Sequence, residues 1–264
     1  MGSIKHDGDV TVYDSQHIRG INGGRQYTRA PQIMDHFTGI ATINSSVPQN
    51  WVTTETGAAT PFAVASGTAG GVAIAVTGGT TNNGQELAGK NVMWTPSTMA
   101  TKTKLVLEVR AKFVAATTAT SGDFAIGFGD AVTYANSLPY VVSAASALTT
   151  HVPTEFCGFY YSSIPTSGAL FLSGGNPIGA VSSKADVDTV TAGTKVKDSN
   201  FHVYRLEMDS SSNAQFFIDD VHQFSIAAAT TASVALTPYI GVVCKASHAQ
   251  TATVDYIFVG GDLV

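Results

Sequence analysis

The sequence predicts an all-β chain built as a two-sheet antiparallel sandwich, preceded by an extended N-terminal arm. Three observations carry this. Runs of β-branched and aromatic residues recur about every 10 to 15 positions from Phe37 onward, separated by clusters of Gly, Ser, Thr, Asn and Pro. Residues 104–113 alternate, with Leu105, Leu107, Val109, Ala111 and Phe113 on one face and Lys104, Glu108, Arg110 and Lys112 among those opposite. A strand with that pattern buries one side and wets the other. The candidate strands are also too many for one open sheet to hold without curling, so two packed sheets follow.

Taken in order, the arm spans residues 1–36 and the sandwich 37–264. In the arm, Lys5, Arg19, Arg25 and Arg29 are spread among Asp7, Asp9 and Asp14, and Ile4, Tyr13, Ile18, Ile21 and Tyr27 stand isolated without a period. Gly20, Gly23 and Gly24 would each cost a helix ~1 kcal/mol relative to Ala, and Pro31 punctuates the junction. Strands are then expected at 71–77, 86–94, 104–113, 124–129, 156–162, 201–208, 214–221, 236–245 and 251–259. The Ala-rich stretch 226–236 is where a short helix would be allowed, although Thr230 and Thr231 interrupt it. Residues 201–209 and 214–221 flank the polar Ser210-Ser-Ser-Asn213 and read as a hairpin. The expected register sets Leu206 opposite Ile218 and Met208 opposite Phe216, with Arg205 facing Asp219 on the other side.

Composition narrows the function. A chain of 264 residues with 44% apolar side chains and a net charge of −5 can bury ~75% of the surface its unfolded form exposes, so disorder is excluded. Fourteen basic residues face 19 acidic ones, the reverse of a duplex-binding surface, and nucleic acid is not an expected partner. No apolar run approaches the ~20 residues of a membrane helix, and the opening residues lack the apolar stretch of a secretory leader. No membrane partner is expected. Cys157 and Cys244 sit in apolar runs, where thiols behave as small buried hydrophobes; one bridge between adjoining strands is the alternative.

The hairpin Phe201-His-x-Tyr-Arg-Leu-Glu-x-Asp209, a polar turn and Phe216-x-Ile-Asp-Asp220 resembles the "WHxYRIEW…FYVDG" hairpin of concanavalin A-like (laminin G-like) jelly rolls. Thr237-Pro-Tyr-Ile-Gly241 and Thr253-Val-Asp-Tyr-Ile-Phe-Val259 are similar to that superfamily's last two strands, and Asp35-His-Phe-Thr-Gly39 with Trp51 is similar to its opening "DDFTG…W". The resemblance covers residues 35–262 and implies a jelly-roll fold. Domains of this kind occur in lectins, polysaccharide hydrolases and lyases, and virion proteins of tailed bacteriophages, so the fold alone does not choose an activity.

The glucanase branch sets its carboxylates along one strand as E-x-D-x-E or E-x-D-x-x-E. Here Glu207-Met-Asp209 starts such a pattern, but Ser211 and Ser212 stand where the second Glu belongs. His202 and His222, opposite one another in the expected register, are too few to hold a metal, and Asp219-Asp220, Asn82-Asn83 and Asp186 with Asp188 are too few for calcium. No nucleophile elbow, phosphate loop or zinc-protease motif occurs. The expectation is therefore a protein without catalytic residues, metal or cofactor.

A low-charge sandwich with a mildly basic arm is built like an assembly component, and the resemblance points that assembly to a tailed-phage virion. The expected role is a capsid decoration (cement) protein at the virion surface, made in the host cytoplasm. It would dock on the major capsid protein or other virion subunits, as a homo-oligomer, a trimer at local three-fold positions. Ile4, Tyr13, Ile18, Ile21 and Tyr27 would fill shallow pockets, and Arg19, Arg25 and Arg29 would pair with acidic groups of the shell. The alternative is a carbohydrate-binding, lectin-like module touching host glycan, in solution or from a tail. Of its rings, Trp51 and Trp94 read as core, Tyr160 and Tyr161 lie in a strand, and Tyr134 and Tyr140, flanking a loop, are the candidate glycan contacts.

Overall fold

The computed structural model describes residues 5–7, 10–12, 33–35, 51–57, 60–64, 73–76, 83–90, 94–99, 104–115, 122–133, 140–142, 148–150, 155–162, 169–175, 181–184, 200–244 and 249–261. In chain order its strands are β1 (Lys5–Asp7), β2 (Val10–Val12), β3 (Ile33–Asp35), β4 (Trp51–Thr56), β5 (Thr60–Val64), β6 (Ala73–Val76) and β7 (Gly84–Gly89). They continue as β8 (Leu105–Ala115), β9 (Gly122–Gly129), β10 (Tyr140–Val142), β11 (Leu148–Thr150), β12 (Phe156–Ser162), β13 (Ala169–Gly175) and β14 (Val181–Lys184). The last five are β15 (His202–Met208), β16 (Ala214–Ile218), β17 (Val221–Ile226), β18 (Thr237–Cys244) and β19 (Gln250–Gly260).

Two antiparallel sheets form a jelly-roll sandwich. The first runs β1-β2-β3-β19-β8-β15-β16-β17, with β5 and β6 joined to it through β19; the second runs β14-β13-β12-β9-β18-β7-β4. A separate hairpin pairs β10 with β11. The inward faces meet in one core because each strand spends alternate residues on it. In β8, Leu105, Leu107, Val109, Ala111 and Phe113 are buried as the alternation requires, and in β15 the buried set is His202, Tyr204, Leu206 and Met208. Phe159 of β12 crosses the interface, meeting Tyr204 and Phe216 of the first sheet edge-on at 5.4 Å each. Phe113 of the first sheet stacks on Phe124 of the second at 3.8 Å. Trp51 and Trp94 belong to this core, and so does Cys157, whose thiol burial drives upward in pKa. Both cysteines are buried and free.

The hairpin register differs from the expected one by two residues. Leu206 faces Phe216, Met208 faces Ala214, Tyr204 faces Ile218 and Arg205 faces Phe217. The turn is shorter than the sequence suggests because the Asp209 carboxylate accepts the backbone N–H groups of Ser211 (2.8 Å) and Asn213 (2.9 Å). A slip of two preserves the face, so core membership holds while every partner changes. The expected strand 214–221 is in fact cut by a second hairpin. Asp219 and Asp220 both take positive φ (50° and 62°), and Ile218 pairs with Val221 across them. That is the backbone a two-residue primed turn needs, and Asp is among the residues that tolerate it.

The stretch 226–236 forms turns in place of the allowed helix, with Ala228 at φ 48°. The described helical turn is a 3-10 turn at Pro96–Thr98. The expected strand 86–94 stops at Gly89, and Trp94 returns only as an isolated bridge to Leu236. Within residues 1–36, β3 pairs with β19, β2 with β3 and β1 with β2, so the described strands of the leading segment bond to the chain's own first sheet.

Candidate functional site

Each sheet has an outward face, and the two differ in chemistry. On the first sheet the outward positions of β8 and β15 carry Lys104, Glu108, Arg110, Lys112, Arg205 and Glu207. They pair with one another and with the neighbouring strands: Lys104 Nζ with Glu207 Oε2 at 2.7 Å, Arg205 Nε with Glu207 Oε1 at 3.2 Å, Arg205 Nη1 with Asp220 Oδ1 at 2.8 Å, and Arg110 with Asp255. Arg110 and Lys112 lie over the Phe201 ring and Arg205 over that of Phe217. Such a face is a lattice of cross-strand ion pairs, in which Arg205 Nε meets the Glu207 charge without a hydrogen bond.

The outward face of the second sheet is tiled by small and aromatic residues. Leu87, Ile126, Phe159 and Ile240 point to the core, so their strand neighbours Ala88, Ala125, Phe156, Tyr160, Tyr239 and Val243 point away, and these form a separate buried cluster. One transverse row reads Glu86, Gly241, Ala125 and Tyr160 across β7, β18, β9 and β12. The row on one side brings in Asp123 beside Val243, and the row on the other sets Tyr239 beside Gly127. Glu86 and Asp123 thus stand two strands apart, about 10 Å across the sheet and one row out of step, with Gly241 and Val243 of β18 between them.

Both carboxylates are buried, Glu86 at 4% exposure and Asp123 at 1%, which is costly unless their oxygens are satisfied. Hydroxyls do this. Tyr239 donates to Glu86 Oε1 at 3.0 Å and Thr133 to Oε2 at 2.5 Å. Tyr160 donates to Asp123 Oδ2 at 3.1 Å and Ser162 to Oδ1 at 3.0 Å. Tyr161, on the opposite face of β12, has its hydroxyl pKa raised, first by burial and then by the Asp123 charge. Each carboxylate is thus held by two hydroxyl donors, one of them a tyrosine, and keeps a fixed orientation.

The sequence-derived candidates fall elsewhere. Ile4, Tyr13, Ile18, Arg19, Ile21, Arg25, Tyr27, Arg29 and Tyr134 lie outside the described residues. Tyr140 opens β10 and pairs with Thr150. The expected facing of His202 and His222 is corrected by the register. His202 Nδ1 meets Asp219 Oδ2 at 2.8 Å, while His222 sits on β17 beside Ser225. Among the described residues no three His, Cys, Asp or Glu side chains gather as a metal group. Glu207 and Asp209 are placed as expected on the charged face and at its turn.

Glu86, Asp123, Tyr160 and Tyr239 were not singled out as a site by sequence reasoning. The available signal was a carboxylate inside an apolar strand, as in Gln85-Glu-Leu-Ala88 and Gly122-Asp-Phe-Ala-Ile126, together with the alternation that sends Tyr160 and Tyr161 to opposite faces.

The chain matches no protein-family model and no curated protein. Solved structures do share its fold. The carbohydrate recognition domain of Emp47p superposes with a TM-score of 0.53 at 15% identity, over 89% of this chain and 97% of that one. The laminarinase catalytic domain from Thermotoga maritima gives 0.54 at 10% identity, over 91% and 100%. A glycoside hydrolase family 16 endo-glucanase from Bacteroides ovatus gives 0.53 at 10% identity, over 86% and 99%. These likenesses show the fold, a concanavalin A-like jelly roll. They also correct the expectation of no enzymatic role, because catalytic domains share this architecture as fully as a recognition domain does. The broken E-x-D pattern at Glu207 and Asp209 concerns one strand alone. The second sheet assembles Glu86 and Asp123 from two strands, which linear spacing does not register.

Proposed function

We propose that the chain is a carbohydrate-recognising domain whose ligand face is the outward side of the second sheet. The observation that carries this is the pair of buried carboxylates, each taking two hydroxyl donors, on the strands either side of β18. Support also comes from the fold, since one structural neighbour is a carbohydrate recognition domain and others are glucan-cleaving catalytic domains. In this reading Glu86 and Asp123 accept sugar hydroxyls, and the rings of Tyr160 and Tyr239 frame the saccharide. A glycan array probed with the full chain and with Glu86→Gln and Asp123→Asn tests it. The wild type should retain a defined set of saccharides that both variants lose; retention by the variants equal to wild type rejects the face. Incubating the retained saccharide and resolving products then reads whether the same face also cleaves.

The virion placement is a separate proposal resting on the family resemblance alone, since the described strands of the leading segment bond to the chain's own first sheet. Docking to a shell through residues 1–36 predicts that a chain lacking residues 1–30 folds but fails to join particles. Unchanged incorporation would end it.

A further inference from the structure

The second sheet's outward face is largely apolar around its two carboxylates, and it is sealed: Tyr160 and Tyr239 are both at 0% exposure. Among the described residues, the chain leaving β9 lies against it. The Asp130 N–H donates to the Glu155 carbonyl (3.2 Å) and fixes the exit from the strand, and Ala131 and Val132 then pack on the cluster of Ala88, Ala125, Phe156, Tyr160, Tyr239 and Val243. The next residue, Thr133, places its hydroxyl on Glu86 Oε2 at 2.5 Å. Ala131 and Val132 remain half-buried, so they form the outer skin of the contact and not an inner layer of the core.

Gly127 and Gly158 adjoin across β9 and β12, and a Cβ on either would come within 2.8 Å of the Phe156 ring, which lies down over them and fills that part of the face. Residues 131–133 form a strap beside it: Ala131 and Val132 pack on the cluster, and Thr133 reaches Glu86.

We infer that the strap is a tethered internal occupant of the carbohydrate face, with the Thr133 hydroxyl standing where a sugar hydroxyl would donate to Glu86. The inference rests on the carbohydrate reading and deepens it: a saccharide must displace residues 131–133, so the strap sets the affinity and the rate of entry. A ligand that binds only the open form has its apparent affinity reduced by the open fraction, and any change that weakens the strap returns that affinity. Thr133 is the latch because its bond to a carboxylate is the charge-assisted one.

The test uses the full chain as wild type, Thr133→Val and Val132→Ser. Strap opening is read without ligand by tetranitromethane nitration of Tyr239, mapped by peptide mass spectrometry, with core Tyr204 as the reference for intact folding. Both variants should nitrate Tyr239 faster, Thr133→Val roughly tenfold or more, the equilibrium worth of one charge-assisted hydrogen bond, while Tyr204 stays protected. Titration with soluble laminarin, mixed-linkage glucan and high-mannose oligosaccharide should then show tighter binding by the variants than by wild type. Unchanged Tyr239 nitration in both variants overturns the strap. Faster nitration with no saccharide bound by any form keeps the strap and overturns the carbohydrate reading. Faster nitration with weaker saccharide binding overturns the role of the strap as a competing occupant.

Discussion

On the first sheet the outward positions of β8 and β15 mix valines with long charged side chains that pair across strands, and on the second the outward positions of β7, β9, β12 and β18 are mostly small and aromatic residues with one Glu and one Asp. The same strand alternation thus produces two surfaces with opposite purposes. Lys104, Arg205 and Glu207 sit where water reaches them, so their ion pairs contribute little and chiefly keep the face soluble and closed to edge contacts. Glu86 and Asp123 have given up water, and four hydroxyls hold them in place. A buried carboxylate with that many donors has a fixed position and orientation, which is what a binding group needs and a solubilising group does not.

The contrast can be broken most forcefully through what both faces share. Phe159→Ala removes the ring that joins the sheets and should cost about 3–5 kcal/mol in urea unfolding, degrading both faces together. Next comes a paired test of the faces. Glu86→Gln should weaken saccharide binding about tenfold or more, while Glu207→Gln leaves it unchanged. A smaller effect separates them by pH. Burial would raise the Asp209 carboxyl, but the side-chain and backbone N–H groups of Asn213, the Ser211 N–H and the Lys104 charge outweigh it, so its pKa is held below the ordinary carboxylate value. Its contribution to stability is complete above about pH 4, where the unfolded carboxyl is ionised, and fades as pH falls through the lowered folded value. Asp209→Asn should therefore flatten the acid limb of a stability–pH curve. Smallest of all, Lys104→Ala should change stability by less than about 1 kcal/mol, and by less still in high salt.

What the sequence revealed follows the same division. The charged face was readable because its residues alternate with large apolar ones over ten positions of β8, and alternation is a local property. The sandwich itself followed from strand recurrence and from the closing hairpin. Registers and turns were less legible. The Asp219-Asp220 turn lacks the glycine that usually advertises a primed turn, and the Asp209 carboxylate that shortens its hairpin looked like one more solvated acid. The ligand face was least legible, because Glu86 comes from β7, Asp123 from β9, Tyr160 from β12 and Tyr239 from β18. Their meeting depends on the order of strands in the sheet, with β18 inserted between β7 and β9, and no spacing along the chain encodes that order. The missing second Glu near Asp209 bears on β15 and its turn and not on the other sheet.

Amide hydrogen exchange of the full chain, with and without the saccharide it retains most strongly on an array, tests the ligand face most directly. The account predicts slowed exchange in β7, β9 and β18, together with faster exchange at residues 130–133 as the strap is displaced. Protection confined to β8 and β15, with residues 130–133 unchanged, would contradict it.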